Sequence, residues 1–132
     1  MDQQLKAGDV VKFKTPADAD EASLLFVVVE DRGPRVLVCD VASPMIIKPQ
    51  MAYLAADMVV HEQATDLRRI VALANAEQDP AALGKLYAEL VGYDLHEDDP
   101  TLSADGLRSM LTEFVGEICH ADGIDREVVG LN

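Results

Sequence analysis

The chain has 132 residues, and its 24 acidic against 11 basic side chains give a formal net charge of −13 at pH 7. Such an excess of negative charge disfavours direct binding to nucleic acids and to anionic membranes, because like charges repel at long range. No apolar run approaches the roughly 18 residues of a membrane-spanning helix, and the length fits one domain or two interdependent halves.

The first predicted element is a strand with one solvated face. Over Val10 to Thr15, apolar or β-branched side chains alternate with two lysines, which is the two-residue period of a half-buried strand. Pro16 ends the strand, because proline lacks an amide hydrogen and restricts the residue before it. An acidic loop from Asp18 to Ser23 follows.

The stretch from Leu24 to Val41 predicts a hairpin at the centre of a small sheet, since two β-branched runs flank a turn at Gly33-Pro34. We expect Glu30 to pair with Arg35 at the mouth of this turn. One face then consists of Leu24, Phe26, Val28, Leu37, Cys39 and Val41. The other consists of Leu25, Val27, Val29, Val36 and Val38. Antiparallel strands commonly leave one face to water, so two apolar faces predict that helices or a second copy of the chain cover the outer one.

Two further strands complete the first half of the chain. Met45 to Lys48 predicts a short fourth strand, and Leu54 to Val60 predicts the closing strand. Five short strands in residues 5–60, with a glycine-led first strand and a central hairpin, resemble a small SH3-like barrel. The resemblance implies a fold and no activity, because small barrels host RNA binding, peptide binding, nucleases and structural roles.

From about residue 62 the apolar period becomes helical, and three amphipathic helices are predicted. Residues suited to cap them are Thr65 or Asp66, Asp79, Gly92, Ser103 and Gly123. The third helix has the clearest apolar stripe, formed by Leu107, Met110, Leu111, Phe114 and Ile118. The polar residues opposite that stripe are Arg108, Ser109, Glu113, Glu117 and His120. Ile124 to Leu131 fits either a short helix or a tail strand.

These elements predict an α+β fold in which a small SH3-like antiparallel β-barrel of about five strands is followed by three amphipathic helices packed on it. Residues 1–60 form the barrel, and residues 61–132 form an acidic helical region that makes one cooperative unit with it. We expect Leu107, Leu111 and Phe114 to cover the outer face of the hairpin.

The acidic loop between the second and third predicted helices is the densest polar cluster. Asp94, His96 and Asp98 stand at every second position, with Asp105 where the twelfth ligand of a calcium loop would fall. The sixth position is Asp99 in place of the required glycine, and the last ligand is an aspartate, too short for bidentate binding. The sequence therefore predicts a solvated loop with no metal site.

No pattern in the chain points to catalysis or to a cofactor. The eight glycines are scattered and form no phosphate-binding loop. Cys119 and His120 pair a nucleophile with a base, but adjacent helical side chains diverge by about 100°. Cys119 is expected to be a packing residue, and His120 lies near a helix end. We therefore predict that the protein is not an enzyme.

The charge is unevenly distributed, since residues 61–132 hold 15 acidic and 5 basic residues, a net of −10. A field of this sign attracts basic partners and repels polyanions. The leading hypothesis is an interaction module whose acidic helical half meets a basic protein through Glu113, Glu117 and Glu89. An acidic mimic of DNA that inhibits a nucleic-acid-binding protein is the alternative, and a small-barrel nuclease is the third reading.

Location and assembly follow from less specific features. The polar opening Met1 to Gln4 predicts that no signal peptide is present. The two cysteines lie in apolar patterns, which is typical of reduced thiols in a cytoplasmic protein, here of bacterial type. We expect no direct binding to nucleic acid or to a membrane, and a homodimer is left open.

Overall fold

Five antiparallel strands and five α-helices build the computed structural model, which describes residues 4–131. The predicted α+β class is therefore confirmed. The polar start at residues 1–3, on which the expectation of no signal peptide partly rests, lies outside the described residues. That residues 1–60 and 61–132 unfold as one cooperative unit stays a prediction.

Except for one short helix that lies between the first two strands, the strands precede the α-helices along the chain. The strands are β1 Val10–Phe13, β2 Phe26–Arg32, β3 Arg35–Cys39, β4 Gln50–Leu54 and β5 Met58–Val60. The α-helices are α1 Ala19–Ala22, α2 Glu62–Ala76, α3 Pro80–Val91, α4 Leu95–Asp98 and α5 Ala104–Asp122. Two 3₁₀ turns, Ala55–Asp57 and Arg126–Val129, complete the chain.

The sheet has the strand order β4-β3-β2-β1-β5, so that β4 and β5 form its two edges. The 3₁₀ turn Ala55–Asp57 connects these edge strands, but the sheet is not closed, and the predicted barrel is not confirmed. The predicted closing strand is correspondingly shorter than expected, because the 3₁₀ turn occupies its first half.

The predicted fourth strand at Met45 to Lys48 is wrong, since these residues form a loop of bends. Pro44 and Pro49 bracket this loop, and neither has an amide hydrogen to donate to a ladder. The chain rejoins the sheet where the Asp40 N–H donates to the Pro49 carbonyl at 2.9 Å, and β4 follows immediately.

The hairpin forms as predicted, but with a different register. Arg32 pairs with Arg35 across a two-residue turn in which Gly33 has φ +79°, a conformation that favours glycine. A bulge between Val28 and Glu30 then shifts the pairing by one residue. The predicted pairing of Glu30 with Arg35 is therefore wrong, since a longer loop was assumed and a bulge leaves no signal in an uninterrupted valine run.

The register decides which side chains reach each of two cores. The inner core contains Leu5, Val11, Phe26, Val28, Val36, Val38 and Met58. Val10 and Val27 point the other way and pack among the helices, with Leu107 and Leu111 in the same cluster. Helices therefore cover part of the outer face as expected. Val36 and Val38 belong to the inner core instead, Val29 is 39% exposed, and Phe114 is only half-buried.

The three long helices match the predicted ones, and their ends show why. Asp79 and Ser103 cap α3 and α5 by accepting bonds from the backbone N–H groups of Ala81 and Gly106. His61, and not Thr65 or Asp66, caps α2 through its ring nitrogen. The ambiguous tail contains the 3₁₀ turn Arg126–Val129. No helix in residues 4–131 is both long and apolar enough to cross a membrane.

Candidate functional site

A groove of about 1040 Å³ lies where α5 meets the C-terminal end of α2 and the last 3₁₀ turn. Its lining residues are Asn75, Ser109, Thr112, Glu113, Gly116, Glu117, His120, Ile124, Arg126, Gly130 and Leu131. Two of the three residues predicted to bind a partner, Glu113 and Glu117, belong to this lining.

The helical period of α5 explains why these carboxylates face the groove. One stripe of the helix, formed by Leu107, Leu111, Val115 and Cys119, is buried in the helical core. Ser109, Glu113 and Glu117 recur at four-residue spacing on another side, where neighbouring turns place them in one row. All three are exposed, and neither glutamate forms an ion pair with another residue in 4–131.

Arg126 is the cation of the groove, and it lies against bare helix backbone. A Cβ atom added at Gly116 would stand 2.8 Å from Arg126 Nη1 and 3.4 Å from its Cζ. The guanidinium therefore rests where α5 has no side chain. The groove holds two carboxylates against this one permanent cation, with His120 exposed at its end.

Two arginines hold the walls of the groove together. Arg68 Nη1 on α2 donates to the Val128 carbonyl at 2.9 Å, which fastens the last 3₁₀ turn to that helix. Arg108 on α5 donates to the carbonyls of Ala74 and Glu77, at 2.9 and 2.5 Å, at the end of α2. Arg108 was predicted on the polar side of α5, and the structure shows that it is a tether between helices.

Glu89, the third predicted partner-binding residue, lies apart from the other two. It accepts a hydrogen bond from Arg69 Nη2 at 2.7 Å, and both side chains are about half exposed. This pair lines a smaller groove of about 350 Å³ with Leu67, Ile70 and Ile118. The structure therefore does not bring Glu89 together with Glu113 and Glu117.

The four weak metal candidates are divided between two helices, three at α4 and one at the start of α5. Asp94 caps α4 by accepting the Glu97 N–H at 3.1 Å, and His96 and Asp98 lie on that short helix. Asp105 belongs to α5 and pairs with Arg108 Nη1 at 2.7 Å. Within residues 4–131 no group of three or more His, Cys, Asp or Glu side chains converges as a metal site. That the loop binds no divalent metal stays a prediction.

Asp99 and His96 in the same region have local explanations. Hydrogen bonds from the Thr101 hydroxyl and backbone N–H, at 2.6 and 3.2 Å, hold the pKa of the Asp99 carboxyl below its ordinary value. His96 packs its Cβ against Gly84, and its Nδ1 is buried with no hydrogen-bond partner in the described part of the chain. The aspartate is thus engaged in a turn, and the histidine is a packing residue.

Cys119 and His120 occupy opposite environments, as their positions on a helix predicted. Cys119 is 1% exposed, and burial raises the pKa of its thiol. His120 is exposed at the end of the groove. A thiol that is buried and hard to ionise is a poor nucleophile, so this pair supplies no catalytic dyad.

The sequence predicted the acidic residues of the groove, Glu113 and Glu117, but not the residues that determine its shape. Arg126 belongs to the tail at Ile124 to Leu131, for which the sequence fits two structures, and Asn75 and Thr112 carry no signal of their own. The only available indication was Gly116, a glycine in the middle of a strong helical pattern, which often marks a close approach.

Comparison with models of known protein families, with curated proteins and with solved structures finds no significant match for this chain.

Proposed function

We propose that the protein is a non-enzymatic interaction module whose acidic helical half binds a basic protein partner. The observation that carries the proposal is the groove beside α5, in which Glu113 and Glu117 are exposed and form no ion pair within residues 4–131. Unpaired carboxylates in a concave surface favour lysine and arginine side chains, which bind carboxylates through charge-assisted hydrogen bonds.

Electrostatics at longer range supports the same partner. Residues 61–132 contribute 15 acidic against 5 basic side chains. A field of this sign speeds the association of cationic proteins, and salt screens it within about 10 Å at 0.1 M. The partner is therefore expected to associate faster at low salt.

The position of Arg126 suggests how a partner side chain would be held. Its guanidinium lies on the backbone of α5 at Gly116, within the lining that also contains Glu117. An arginine of the partner would lie beside it and bind the free carboxylates through its own planar guanidinium. On this proposal the five-stranded sheet of the first half of the chain is the scaffold on which the helices pack.

The test is affinity capture from the native cell, followed by mass spectrometry. The wild-type chain is compared with a Glu113→Lys and Glu117→Lys double variant. A matched control carries Asp66→Lys and Glu97→Lys, two exposed helical acids outside the lining of this groove. We expect a basic protein that the wild type and the control capture and the groove variant loses.

Three further outcomes separate the hypotheses. Gel-shift assays showing submicromolar binding to DNA or RNA would contradict the proposal. Competition between this protein and duplex DNA for one captured partner would favour the acidic mimic of DNA. If a basic partner is captured but its binding changes neither with the two charge-reversal variants nor with salt, the interface lies elsewhere. The proposed role of the groove would then be wrong.

A further inference from the structure

Within residues 4–131, one edge of β4 has no strand beside it. In this part of the chain β4 pairs with β3 alone, in the register Val38 with Met51 and Leu37 with Ala52. The Asp40 N–H bonds to the Pro49 carbonyl, and the Ala55 N–H bonds to the Pro34 carbonyl, both at 2.9 Å. Hydrogen-bonded and non-hydrogen-bonded pairs alternate in an antiparallel ladder. The N–H and C=O groups of Gln50 and Ala52 and the N–H of Leu54 therefore point away from β3, while the Leu54 carbonyl, at the N-cap of the 3₁₀ turn Ala55–Asp57, belongs to that turn.

This edge lacks the features that usually block pairing with another chain. Natural edge strands carry lysine or other charges, proline, or a bulge that turns the edge away. Gln50–Leu54 contains no charged residue and no proline, and its pairing with β3 is continuous. Gln50, Ala52 and Leu54 are all exposed. Among the described residues no strand lies beside this edge, so a further strand can pair with it.

The loop before β4 adds an exposed apolar surface to this edge. Ile46 is 100% exposed and Ile47 is 83% exposed. The base of the loop is held, because Ser43 is buried, its Oγ accepts the Met45 N–H, and its carbonyl accepts a bond from Lys48 Nζ. Two neighbouring isoleucines that are exposed to solvent on an anchored loop indicate a site of contact with another protein chain.

We propose that the free edge of β4 pairs with β4 of a second copy of this chain, antiparallel and about a two-fold axis at Ala52. In that register Ala52 faces Ala52 of the second copy, and Gln50 faces Leu54 of the second copy. The outward groups can form four backbone hydrogen bonds, two between the Ala52 residues and one from each Leu54 N–H to the Gln50 carbonyl of the other copy, because each Leu54 carbonyl belongs to the 3₁₀ turn Ala55–Asp57. The two sheets then become one sheet of ten strands.

The side chains of β4 are self-complementary in this register. Met51 and Tyr53, both half-buried at the rim of the inner core, face each other across the two copies. A thioether beside an aromatic ring is a favourable contact. Ala52 leaves space at the centre, where a larger side chain would meet itself.

The flanking segments also match. If the same pairing continues beyond β4, the loop at residues 45–48 of each copy lies beside the 3₁₀ turn Ala55–Asp57 of the other copy. Beside that turn lies a groove of about 380 Å³ whose lining includes Pro34, Leu54 and Met58 together with Lys14 and Asp31. Ile46 and Ile47 supply apolar side chains for it.

The dependence on salt distinguishes this contact between copies from the proposed binding of a basic partner. Two chains of net charge −13 repel, while β4 itself is uncharged. Screening therefore strengthens pairing between copies, and it weakens association with a cation. The two proposals can fail independently.

The test is sedimentation equilibrium of the intact chain over a range of concentrations and salt. We expect the mass to rise from 14.3 kDa toward twice that value, more readily at high salt. Ala52→Lys places two cations against each other at the axis and should abolish the dimer. Leu73→Lys is the control, since Leu73 is an exposed apolar residue on α2 with 44% exposure. Circular dichroism checks that both variants stay folded.

A cross-link tests the register itself. Facing residues of a hydrogen-bonded pair have Cα atoms about 5.5 Å apart, within the range that a disulfide spans. Ala52→Cys in a Cys39→Ser background should therefore give a covalent dimer on mild oxidation, and Leu73→Cys should not. A chain that stays monomeric at all concentrations overturns the proposal. A dimer that survives Ala52→Lys, or that fails to cross-link at residue 52, also overturns it.

Discussion

Gly84 of α3 lies directly against the Cβ of His96. A Cβ atom added at Gly84 would stand 2.6 Å from that atom and 2.4 Å from Asp94 Oδ1. The His96 Cβ is the root of its side chain, so only a backbone shift of α4 relieves the overlap. We expect Gly84→Ala to lower the free energy of unfolding by about 1–3 kcal/mol, the usual cost of overpacking. Urea denaturation measures this change.

Gly116 provides the matched comparison, because a methyl there meets the mobile end of Arg126. The guanidinium can swing aside at little cost. Alanine is favoured over glycine inside a helix by roughly 0.8–1 kcal/mol. We expect Gly116→Ala to raise the free energy of unfolding by up to that amount in the same assay. A destabilising result would mean that the contact of Arg126 with α5 is required for the fold.

Arg108 should contribute more to stability than an ordinary surface arginine. Its side chain is 21% exposed and bonds to the Ala74 and Glu77 carbonyls at the end of α2. Arg108→Ala leaves these acceptors without a partner, and we expect a loss of about 2 kcal/mol. Arg69→Ala is the control, because its exposed pair with Glu89 is worth at most about 1 kcal/mol. Equal losses of unfolding free energy in Arg108→Ala and Arg69→Ala would contradict the role of Arg108 as a tether between α5 and α2.

The two thiols should react at different rates. Cys119 is 1% exposed and burial raises its pKa, whereas Cys39 is half-buried at the end of β3. The thiolate is the reactive form, so Cys119 is protected by both access and ionisation. We expect one thiol to react with a disulfide reagent in the native protein and the second only in denaturant. Rapid reaction of both would show that α5 opens readily.

Raised pKa values also predict a pH dependence of stability. Burial raises the pKa of Cys119 from its ordinary 9.0, and burial together with the neighbouring Tyr93 raises that of Tyr87 from 10.0. The folded state then holds these protons more tightly than the unfolded state. Below pH 9 these two groups contribute their full stabilisation of the folded state. This stabilisation is lost as the pH rises through their pKa values in the folded state. The unfolding free energy should therefore fall above pH 9, and less so in Cys119→Ala.

The sequence alone determined the helical half to a large extent, because its determinants are local. The 3.6-residue period placed Leu107 and Leu111 on the buried stripe and Glu113 and Glu117 off it. Asp79 and Ser103 cap helices by reaching backbone groups two or three residues away. Such short-range interactions leave a pattern that can be recognised without knowing the neighbours.

Tertiary structure alone decided the relations between distant segments. The bulge between Val28 and Glu30 moved Val36 and Val38 to the inner core, although an unbroken valine run carries no sign of a bulge. Met45 to Lys48 has the composition of a strand. Within residues 4–131, however, no strand pairs with it, and a proline stands at each of its ends.

The groove shows the same division. Its charge was visible in the sequence as Glu113 and Glu117, but its shape depends on Arg108 reaching α2 and on Arg126 lying over Gly116. These contacts join residues 34 and 10 positions apart in the chain. The physical reason is that periodicity records which side of an element is buried, whereas pairing register and long-range hydrogen bonds depend on what the rest of the chain places opposite.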